Sequence, residues 1–409
     1  MTRATRERTR AATRATGSAG PVTLAFGLSL GPFAALGLGR FAYALLLPTM
    51  KAQLHWSFAA AGAVNAANAV GYLAGSLGAA RVARRFGTRT SFAAGIVATG
   101  VSLLACAATS NLFVLLVLRA VTGATGALTF ITGAGLLAQA IRTRRVPVDG
   151  TLATGVYFAG ASAGILATGL ALPALLAELP QNLGWRVAWL VMGAASFLVL
   201  VVTVRAARTA PEPPAPPAGG DHRWPARRMV PALLAYGLFG AGYIAYMTFV
   251  VAYLRSGGLT IVGVAAFWSV LGAAGIAGPF VWTRSLRPFT PPRRAALILA
   301  VLAVGAALPL VTATAAVGFV SAVLFGGSFL MVVTVFTEYV RAVLPPHQWT
   351  PAIGGFTVAF AAGQCIGPVL AGMLSDTGGG VRLGIAVSAG VLAVGALVGF
   401  AERRRQPAP

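Results

Sequence analysis

The stretch GLGRFAYALLLP, residues 37–48, places an arginine inside an apolar run that extends from Val22 to Leu47. The run is long enough to cross a lipid bilayer as a helix. The guanidinium of Arg40 keeps its charge in a protein, and an arginine near the bilayer centre costs about 2.5–3.5 kcal/mol on insertion scales. We therefore expect Arg40 to have a partner or a task that offsets this cost.

The composition of the whole chain indicates a membrane protein. Of its 409 residues, 57% are hydrophobic and 10% are charged, and the mean hydropathy is +0.81. A soluble domain does not bury so much apolar surface, whereas a bilayer absorbs it. We predict an all-α membrane protein with twelve transmembrane helices, one in each apolar run: 22–47, 57–79, 90–108, 111–140, 150–176, 186–204, 229–254, 260–283, 294–312, 314–340, 350–374 and 381–401.

The two halves of the chain resemble each other. GLGRFAY (37–43) aligns with GAGYIAY (240–246), RAV (119–121) with SAV (321–323), and GVYFA (155–159) with GFTVA (355–359). Such repeats predict two pseudo-symmetric six-helix bundles with a substrate site near the midplane at their interface. The predicted parts are a disordered tail (1–21), an N-terminal bundle (22–204), a proline-rich linker (205–228), a C-terminal bundle (229–401) and a second tail (402–409).

The positive charge follows the predicted topology. A net charge of +23 would suggest nucleic acid as a partner for a soluble protein. Here 25 of the 31 basic residues lie in the tails, the linker and the alternate connections on one side of the predicted bilayer. The other side has four: Lys51, Arg186, Arg255 and Arg382. The positive-inside rule therefore predicts that both termini and the linker are cytoplasmic, and nucleic acid is excluded as a partner.

Two local motifs carry a resemblance to a known superfamily. RAVTGATG (119–126) and RRFGTRT (84–90) resemble the span-four motif and the loop between spans two and three of the major facilitator superfamily (MFS). More narrowly, GLGRFAYALLLPTM, GLFGAGYIAYMTFVVAYL and GQCIGPVLAGMLSD resemble its YbfB/YjiJ-type branch of bacterial permeases. The loop departs from the superfamily pattern at one position, since Arg84 stands where an acidic residue is usual.

The resemblance implies an MFS permease of the bacterial inner membrane, working by alternating access, with spans one, four, seven and ten lining the cavity. It also implies a monomer with a small-molecule substrate in a lipid bilayer. A structural or gating role is implied for five motif residues: Arg85, Gly87, Arg89, Gly123 and Gly126.

Arg40 and Arg119 are the two basic residues that remain inside predicted spans. All eight acidic residues lie in predicted tails, loops or span ends: Glu7, Asp149, Glu178, Glu212, Asp221, Glu338, Asp376 and Glu402. No carboxylate is therefore predicted at mid-membrane depth to neutralise either arginine. A ligand carboxylate or phosphate fits the planar guanidinium fork, so we expect Arg40, helped by Arg119, to bind the anionic group of a small organic substrate.

Three other candidate substrate contacts follow from position on the predicted lining helices or from the repeat: Tyr43, Tyr243 and Tyr246. A fourth, Gln364, is a polar residue of span eleven that lies seven residues after Thr357 and so shares its face. Tyr43 lies one helical turn past Arg40, on the same face. Asn65 and Asn68, three residues apart in span two, are expected to form interhelical hydrogen bonds.

Several alternatives stay open at this stage. Arg119 is alternatively a brace for the backbone of span one, and Arg40 is alternatively a side chain that extends toward the lipid headgroups. Protons or a counter-anion are candidate coupling partners, and proton-coupled efflux of drugs or metabolites is the rival transport function. A non-transporting membrane sensor is the rival from another class. The sequence contains no constellation typical of an enzyme, a cofactor site or a metal site.

Overall fold

The computed structural model describes residues 20–143, 150–213, 224–312 and 314–402. These residues form twelve long helices, α1–α12. Helix α1 has three consecutive segments, Pro21–Pro32, Phe33–Phe41 and Tyr43–Gln53. The others are α2 Phe58–Phe86, α3 Thr88–Ala107, α4 Leu112–Arg142, α5 Gly150–Glu178, α6 Gln181–Thr209, α7 Val230–Ser256, α8 Ile261–Ser285, α9 Pro291–Val311, α10 Ala315–Val343, α11 Trp349–Ser375 and α12 Gly380–Glu402.

The predicted all-α membrane fold is confirmed. Eleven of the twelve helices, within the described ranges, have the length and hydropathy of a membrane span. Helix α2 is the exception because its sequence is rich in alanine and glycine and includes Asn65 and Asn68. The predicted tails, apart from their innermost residues, and residues 214–223 of the predicted linker lie outside the described residues.

The middle segment of α1 is a π-helix. It covers Phe33–Phe41 and therefore includes Arg40. It begins directly after Pro32, which has no backbone N–H and so interrupts the regular α-helical bonding. The segment ends where Ala42 N donates to Gly37 O, five residues earlier, at 3.1 Å. π-Helical turns are uncommon and often mark functional sites.

Each half of the chain packs its helices in the same pairs. In the N-terminal bundle α2 and α3 both pack on α4, and α3 also packs on α6; in the C-terminal bundle α8 and α9 both pack on α10, and α9 also packs on α12. Small residues permit the close approach, since a Cβ at Gly71 would lie 1.8 Å from Ala120 O, between α2 and α4.

The two bundles meet mainly through two helix pairs, α2 with α11 and α5 with α8. We call the end of the molecule that contains residues 20 and 402 the terminus face, and the opposite end the far face. At the far face, Asp376 follows α11 and accepts hydrogen bonds from Phe58 N at 2.7 Å and Ala59 N at 2.9 Å. This carboxylate therefore caps the first turn of α2 across the bundle interface.

Glycines let α2 and α11 pack closely below that contact. A Cβ at Gly372 would lie 2.4 Å from Phe58 O, and one at Gly62 would lie 2.2 Å from Pro368 O. Asn65, three residues after Gly62 and further from the far face, donates to Thr248 of α7 at 2.6 Å. The far-face half of the interface is therefore closed by backbone-to-backbone packing and polar contacts.

Candidate substrate-binding site

Arg40 is enclosed in the protein and does not point to lipid. Its side chain is only 3% exposed, and it lies about 20 Å from the far-face end of α1, counted along a helix. Its Cζ is 5.2 Å from the ring centroid of Tyr72 in α2, a distance typical of a cation–π contact. Tyr243 and Cys365 of the C-terminal bundle lie within electrostatic range of the guanidinium. The charge is therefore presented at the interface between the bundles.

The Arg40 guanidinium is incompletely satisfied. Its Nε and Nη2 atoms are buried without a hydrogen-bond partner in the described structure. The two ion pairs formed by described residues, Arg89 with Glu212 at 3.4 Å and Arg294 with Glu338 at 3.2 Å, lie elsewhere. Buried polar groups are normally hydrogen-bonded, so unpaired donors on a permanent cation are an uncommon feature.

The acidic residues that the structure describes give Arg40 no counter-charge. The five that the structure describes lie at helix ends or just beyond them: Glu178, Glu212, Glu338, Asp376 and Glu402. The other three acids of the sequence, Glu7, Asp149 and Asp221, lie outside the described residues.

Arg119 occupies a different environment although it lies nearby. Its Nη1 donates to Gly39 O, in the π-helical segment of α1, at 2.6 Å. Its Cζ is 5.5 Å from the centroid of the Tyr43 ring and 5.3 Å from that of the Trp189 ring. These two rings are themselves stacked, with centroids 6.4 Å apart. Arg119 thus fastens α1 to α4 from inside the N-terminal bundle, although its Nε and Nη2 also have no partner in the described part.

The C-terminal bundle faces Arg40 with an amide and a phenol. Gln364 of α11 is fully buried, and its Nε2 donates to the Tyr243 hydroxyl at 2.6 Å. The other end of the amide, Oε1, has no partner among the described residues. Arg40 in one bundle and Gln364 in the other therefore each keep buried polar atoms without a partner among the described residues.

Tyr43 and Tyr246, two of the predicted substrate contacts, have partners inside their own bundles. The hydroxyl of Tyr43 donates to Ala61 O at 2.9 Å. The hydroxyl of Tyr246 is 2.6 Å from Ser321 Oγ. The structure therefore gives both hydroxyls a packing contact and does not bring them together with Arg40.

The predicted structural residues lie at helix contacts. Asn68 donates to Arg119 O at 3.2 Å, whereas Asn65 reaches across to α7. A Cβ at Gly123 would lie 2.0 Å from Asn68 O, and one at Gly126 would lie 3.3 Å from Ala35 O. These positions control how closely α4 approaches α2 and α1.

The basic loop between α2 and α3 lies at the terminus face, away from Arg40. Gly87 has a φ of 83°, a conformation that favours glycine, and the exposed Arg85 lies over the neighbouring Phe86 ring. Arg89 donates through Nε to Ala210 O at 3.0 Å. Glu212 accepts from the backbone N–H of Thr88 and pairs with Arg89. The carboxylate of Glu212, from the linker, thus lies at the first turn of α3. The loop itself has Arg84 at the position where MFS transporters usually have an acidic residue.

Two aromatic residues near Arg40 were absent from the predicted site. Tyr72 is four residues after Asn68 and seven after Asn65, so it continues the polar face of α2. Phe360 is four residues before Gln364 on α11, and its ring stacks on Tyr243 with centroids 5.7 Å apart. Helical spacing from the predicted polar residues is the signal that would have found both.

The comparisons with known proteins agree with this architecture. The sequence model of the family described as "uncharacterised MFS-type transporter YbfB" matches residues 33–399. No curated protein matches the chain. The nucleoside transporter NupG has a similar structure, with 14% identity, a TM-score of 0.73, and coverage of 94% of this chain and 100% of that one.

A second solved structure has the same fold. It is a bacterial homologue of the human lysosomal transporter Spinster, in an inward-facing and occupied conformation. It is 16% identical, with a TM-score of 0.70, and the match covers 94% of this chain and 98% of that one. The structural likenesses show the fold, and the family match covers most of the sequence. The chain therefore belongs to the YbfB-type family of MFS transporters and is a multi-pass, non-enzymatic membrane transporter.

Proposed function

We propose that this transporter carries a small organic anion, bound between the two bundles by Arg40. The observation that carries the proposal is the buried Arg40 guanidinium, whose Nε and Nη2 have no partner in the described structure. A permanent charge in the membrane is offset by backbone carbonyls, by a hydrated cavity or by an opposite charge. Both arginines keep Nε and Nη2 without a partner among the described residues. Arg119, however, already donates to a carbonyl and lies inside the N-terminal bundle, whereas Arg40 contacts Tyr72 on a helix that joins the bundles.

The chemistry of these donors favours a carboxylate. A guanidinium presents parallel N–H groups that match the two oxygens of a carboxylate, and such charge-assisted bonds are about twice as strong as neutral ones. Gln364 and Tyr243 stand across the interface, where they are placed to orient the rest of the molecule.

The packing supports an alternating-access cycle. The bundles are joined at the far face by Asp376 and by the glycine contacts of α2 with α11. With the termini in the cytoplasm, as the arginine distribution predicts, this is closure on the outer side of a bacterial cytoplasmic membrane. Outward opening requires the Asp376 contacts to separate while each bundle keeps its internal packing.

The proposed unit is a monomer, and the proposed coupling is to a second anion or to the substrate gradient alone. Both modes operate without a titrating carboxylate at mid-membrane depth, and the described acids lie at helix ends. In proteoliposomes, exchange would be accelerated by anions inside the vesicle, whereas obligatory proton coupling would require a pH gradient for uptake.

A binding experiment tests the proposal. Purified protein in nanodiscs is titrated with acetate, benzoate and succinate and with the corresponding neutral amides, and each titration is repeated with Arg40→Gln. A lost charge-assisted bond is worth about 1.5–3 kcal/mol, so we expect at least tenfold weaker binding of the anions.

The matched control is Arg208→Gln, because Arg208 is an exposed arginine in the same bundle. It should leave every affinity unchanged. Binding of the amides as tightly as the acids, or anion binding that survives Arg40→Gln, would overturn the proposal.

A further inference from the structure

Two partly exposed aromatic rings lie at the same depth on the two helices that join the bundles. Tyr72 is about 21 Å from the start of α2 and Phe360 is about 22 Å from the end of α11, counted along each helix. Both are partly exposed, whereas Arg40 and Tyr243 beside them are buried. Nearer the far face, α2 and α11 pack backbone against backbone. The two rings therefore lie beyond the part of the interface where α2 and α11 pack backbone against backbone.

In the C-terminal bundle, the ring of Phe360 belongs to a stack of three aromatic rings. The rings of Tyr243 and Phe360 are nearly parallel, with an interplanar angle of 9°. Phe239 stacks on both, with centroids 4.8 Å from Tyr243 and 5.4 Å from Phe360. This part of the C-terminal bundle thus consists of three stacked rings, with the Tyr243–Gln364 pair as its polar part.

A ring contact also reaches the C-terminal bundle from α1. Phe41, next to Arg40, packs edge to face on Phe329 with centroids 5.7 Å apart. Phe329 in turn stacks on Tyr243 at 6.2 Å. A chain of ring contacts therefore runs from Phe41, the residue after Arg40, through Phe329 of α10 to Tyr243 of α7.

Of the two buried arginines, Arg40 is the one whose guanidinium lies at the bundle interface, although both keep Nε and Nη2 without a partner among the described residues. Arg119 donates to Gly39 O and is covered by the rings of Tyr43 and Trp189 inside the N-terminal bundle. Arg40 alone is in contact with a ring at the bundle interface, through Tyr72. One guanidinium fork binds one carboxylate, so a second anionic group on the same ligand would have no matching donor pair.

We propose, on the basis of the anion site above, that the substrate is an aromatic monocarboxylate. Its carboxylate binds Arg40 and its ring lies between Tyr72 and Phe360. Offset stacking and edge contacts with these rings add affinity beyond the burial of apolar area. The free end of the Gln364 amide is the hydrogen-bonding group for a substituent on the ring.

The test compares ligands that share a carboxylate and differ in the ring. Benzoate, cyclohexanecarboxylate, acetate, phthalate and benzamide are titrated into the full-length protein in nanodiscs. We expect benzoate to bind about tenfold tighter than cyclohexanecarboxylate, the size expected from two ring contacts. Acetate and phthalate should bind more weakly than benzoate.

Two variants locate the preference. Phe360→Leu and Tyr72→Leu each remove one ring and keep an apolar side chain. Each should reduce the preference for benzoate over cyclohexanecarboxylate to threefold or less, measured as the ratio of the two affinities within each variant. The use of two positions on different bundles separates loss of stacking from local misfolding. Phe113→Leu is the matched control, because Phe113 is 73% exposed on the outside of α4.

The outcomes separate this inference from the anion site. Equal affinities for benzoate and cyclohexanecarboxylate, both lost in Arg40→Gln, would overturn the aromatic inference and leave the anion site in place. A benzoate preference unchanged in both leucine variants would overturn the placement of the ring and with it the inference. Equal binding of benzamide and benzoate would overturn both proposals.

Discussion

The two bundles place different chemistry at equivalent positions of the repeat. Arg40 of α1 corresponds to Tyr243 of α7, and Arg119 of α4 corresponds to Ser321 of α10. The N-terminal bundle therefore contributes two buried cations, whereas the C-terminal bundle contributes a phenol and a hydroxyl. The proposed site, with a positive charge from one bundle and aromatic rings from the other, therefore depends on a few residues that differ between two similarly packed bundles.

The first and fourth helices of each half, α1 with α4 and α7 with α10, are in contact in both bundles, but through different side chains. In the N-terminal bundle, Arg119 lies over the ring of Tyr43. At the equivalent place in the C-terminal bundle, Ser321 Oγ lies 2.6 Å from the Tyr246 hydroxyl. The equivalent helices thus touch at the same height, and the larger arginine reaches further, to the backbone of α1.

The backbone differs as well. Phe33–Phe41 is π-helical, whereas the equivalent part of α7 lies within the regular α-helix Val230–Ser256. The difference coincides with the Arg119 contact to Gly39 O, for which α7 has no arginine partner. We conclude that the irregular segment belongs to the cation-bearing half and that the aromatic half needs no such distortion.

The largest effect is expected where the two halves are most alike. Gly37 and Gly240 are equivalent, and each touches the backbone of a neighbouring helix. A Cβ would lie 2.5 Å from Gly164 Cα at the first position and 2.2 Å from Phe360 O at the second. Backbone atoms do not move aside cheaply, so Gly37→Ala and Gly240→Ala should each lower the melting temperature by more than about 8 °C, or prevent folding.

The control for these variants is Gly78→Ala, where a Cβ would meet nothing within 4 Å. Removal of a helical glycine in open space should leave stability the same or slightly higher. A melting temperature kept by Gly240→Ala but lost by Gly37→Ala would show that only the π-helical half tolerates no added volume.

The next effect separates the two arginines. Arg119→Met keeps much of the volume, but it removes the bond to Gly39 O and one positive charge near Arg40. Both losses should weaken anion binding, by about tenfold, although Arg119 itself does not touch the ligand. Titration of benzoate and acetate measures the effect, with the exposed Arg208→Met as control. An unchanged affinity would mean that α1 holds Arg40 in place without Arg119.

The fold was predictable from the sequence because each helix that spans a lipid bilayer must be long and apolar. Each crossing needs about 20 apolar residues, and duplication repeats that pattern at a nearly constant offset. Arg40 was conspicuous for the same reason, since a charge in an apolar run is costly. That Arg40 is buried, and that two of its nitrogen atoms have no partner among the described residues, is seen only in the folded structure.

Other parts of the site were hidden because their residue types are ordinary in membrane helices. Aromatic residues occur throughout the spans, so the helical spacing of Tyr72 from Asn68 and of Phe360 from Gln364 was a weak signal until the structure placed the two rings against Arg40 and Tyr243. The partner of Arg89 was equally hidden, because Glu212 lies more than a hundred positions away in the linker. Contacts of that kind depend on tertiary packing and have no local signal.

A smaller effect is expected from the far-face contact, which the two halves do not share. Both α2 and its pseudo-equivalent α8 have a cap of their own, since Ser57 accepts from Ala60 N at 3.0 Å and Thr260 accepts from Gly263 N at 3.1 Å. Only α2 also receives Asp376 from the other bundle, which accepts from Phe58 N and Ala59 N. Asp376→Asn removes the charge that joins the bundles. An exposed charged contact is worth up to about 1 kcal/mol, so the far-face-open population should rise about fivefold.

Distances between spin labels at Asn182→Cys and Gly378→Cys, in a background with Cys106→Ala and Cys365→Ser, measure this opening. Both label sites are exposed and lie on different bundles at the far face. Glu338→Gln is the control, because its ion pair with Arg294 lies within the C-terminal bundle and should not affect the distance. An identical distance distribution in Asp376→Asn would remove Asp376 from the closure of this face.

The smallest effect is expected at the counterpart of Arg119. Ser321→Ala removes the contact with the Tyr246 hydroxyl and the hydrogen bond to Gly305 O, which is 2.6 Å long. Interhelical hydrogen bonds in membranes are worth about 0.6 kcal/mol on average, so the melting temperature should fall by a few degrees at most. Anion affinity should stay within twofold, because Ser321 touches neither Arg40 nor the rings beside it. Ser256→Ala is the control, because Ser256 is exposed. A loss of anion affinity in Ser321→Ala as large as that in Arg119→Met would mean that both halves hold the anion. That outcome would contradict the division between a cation-bearing half and an aromatic half.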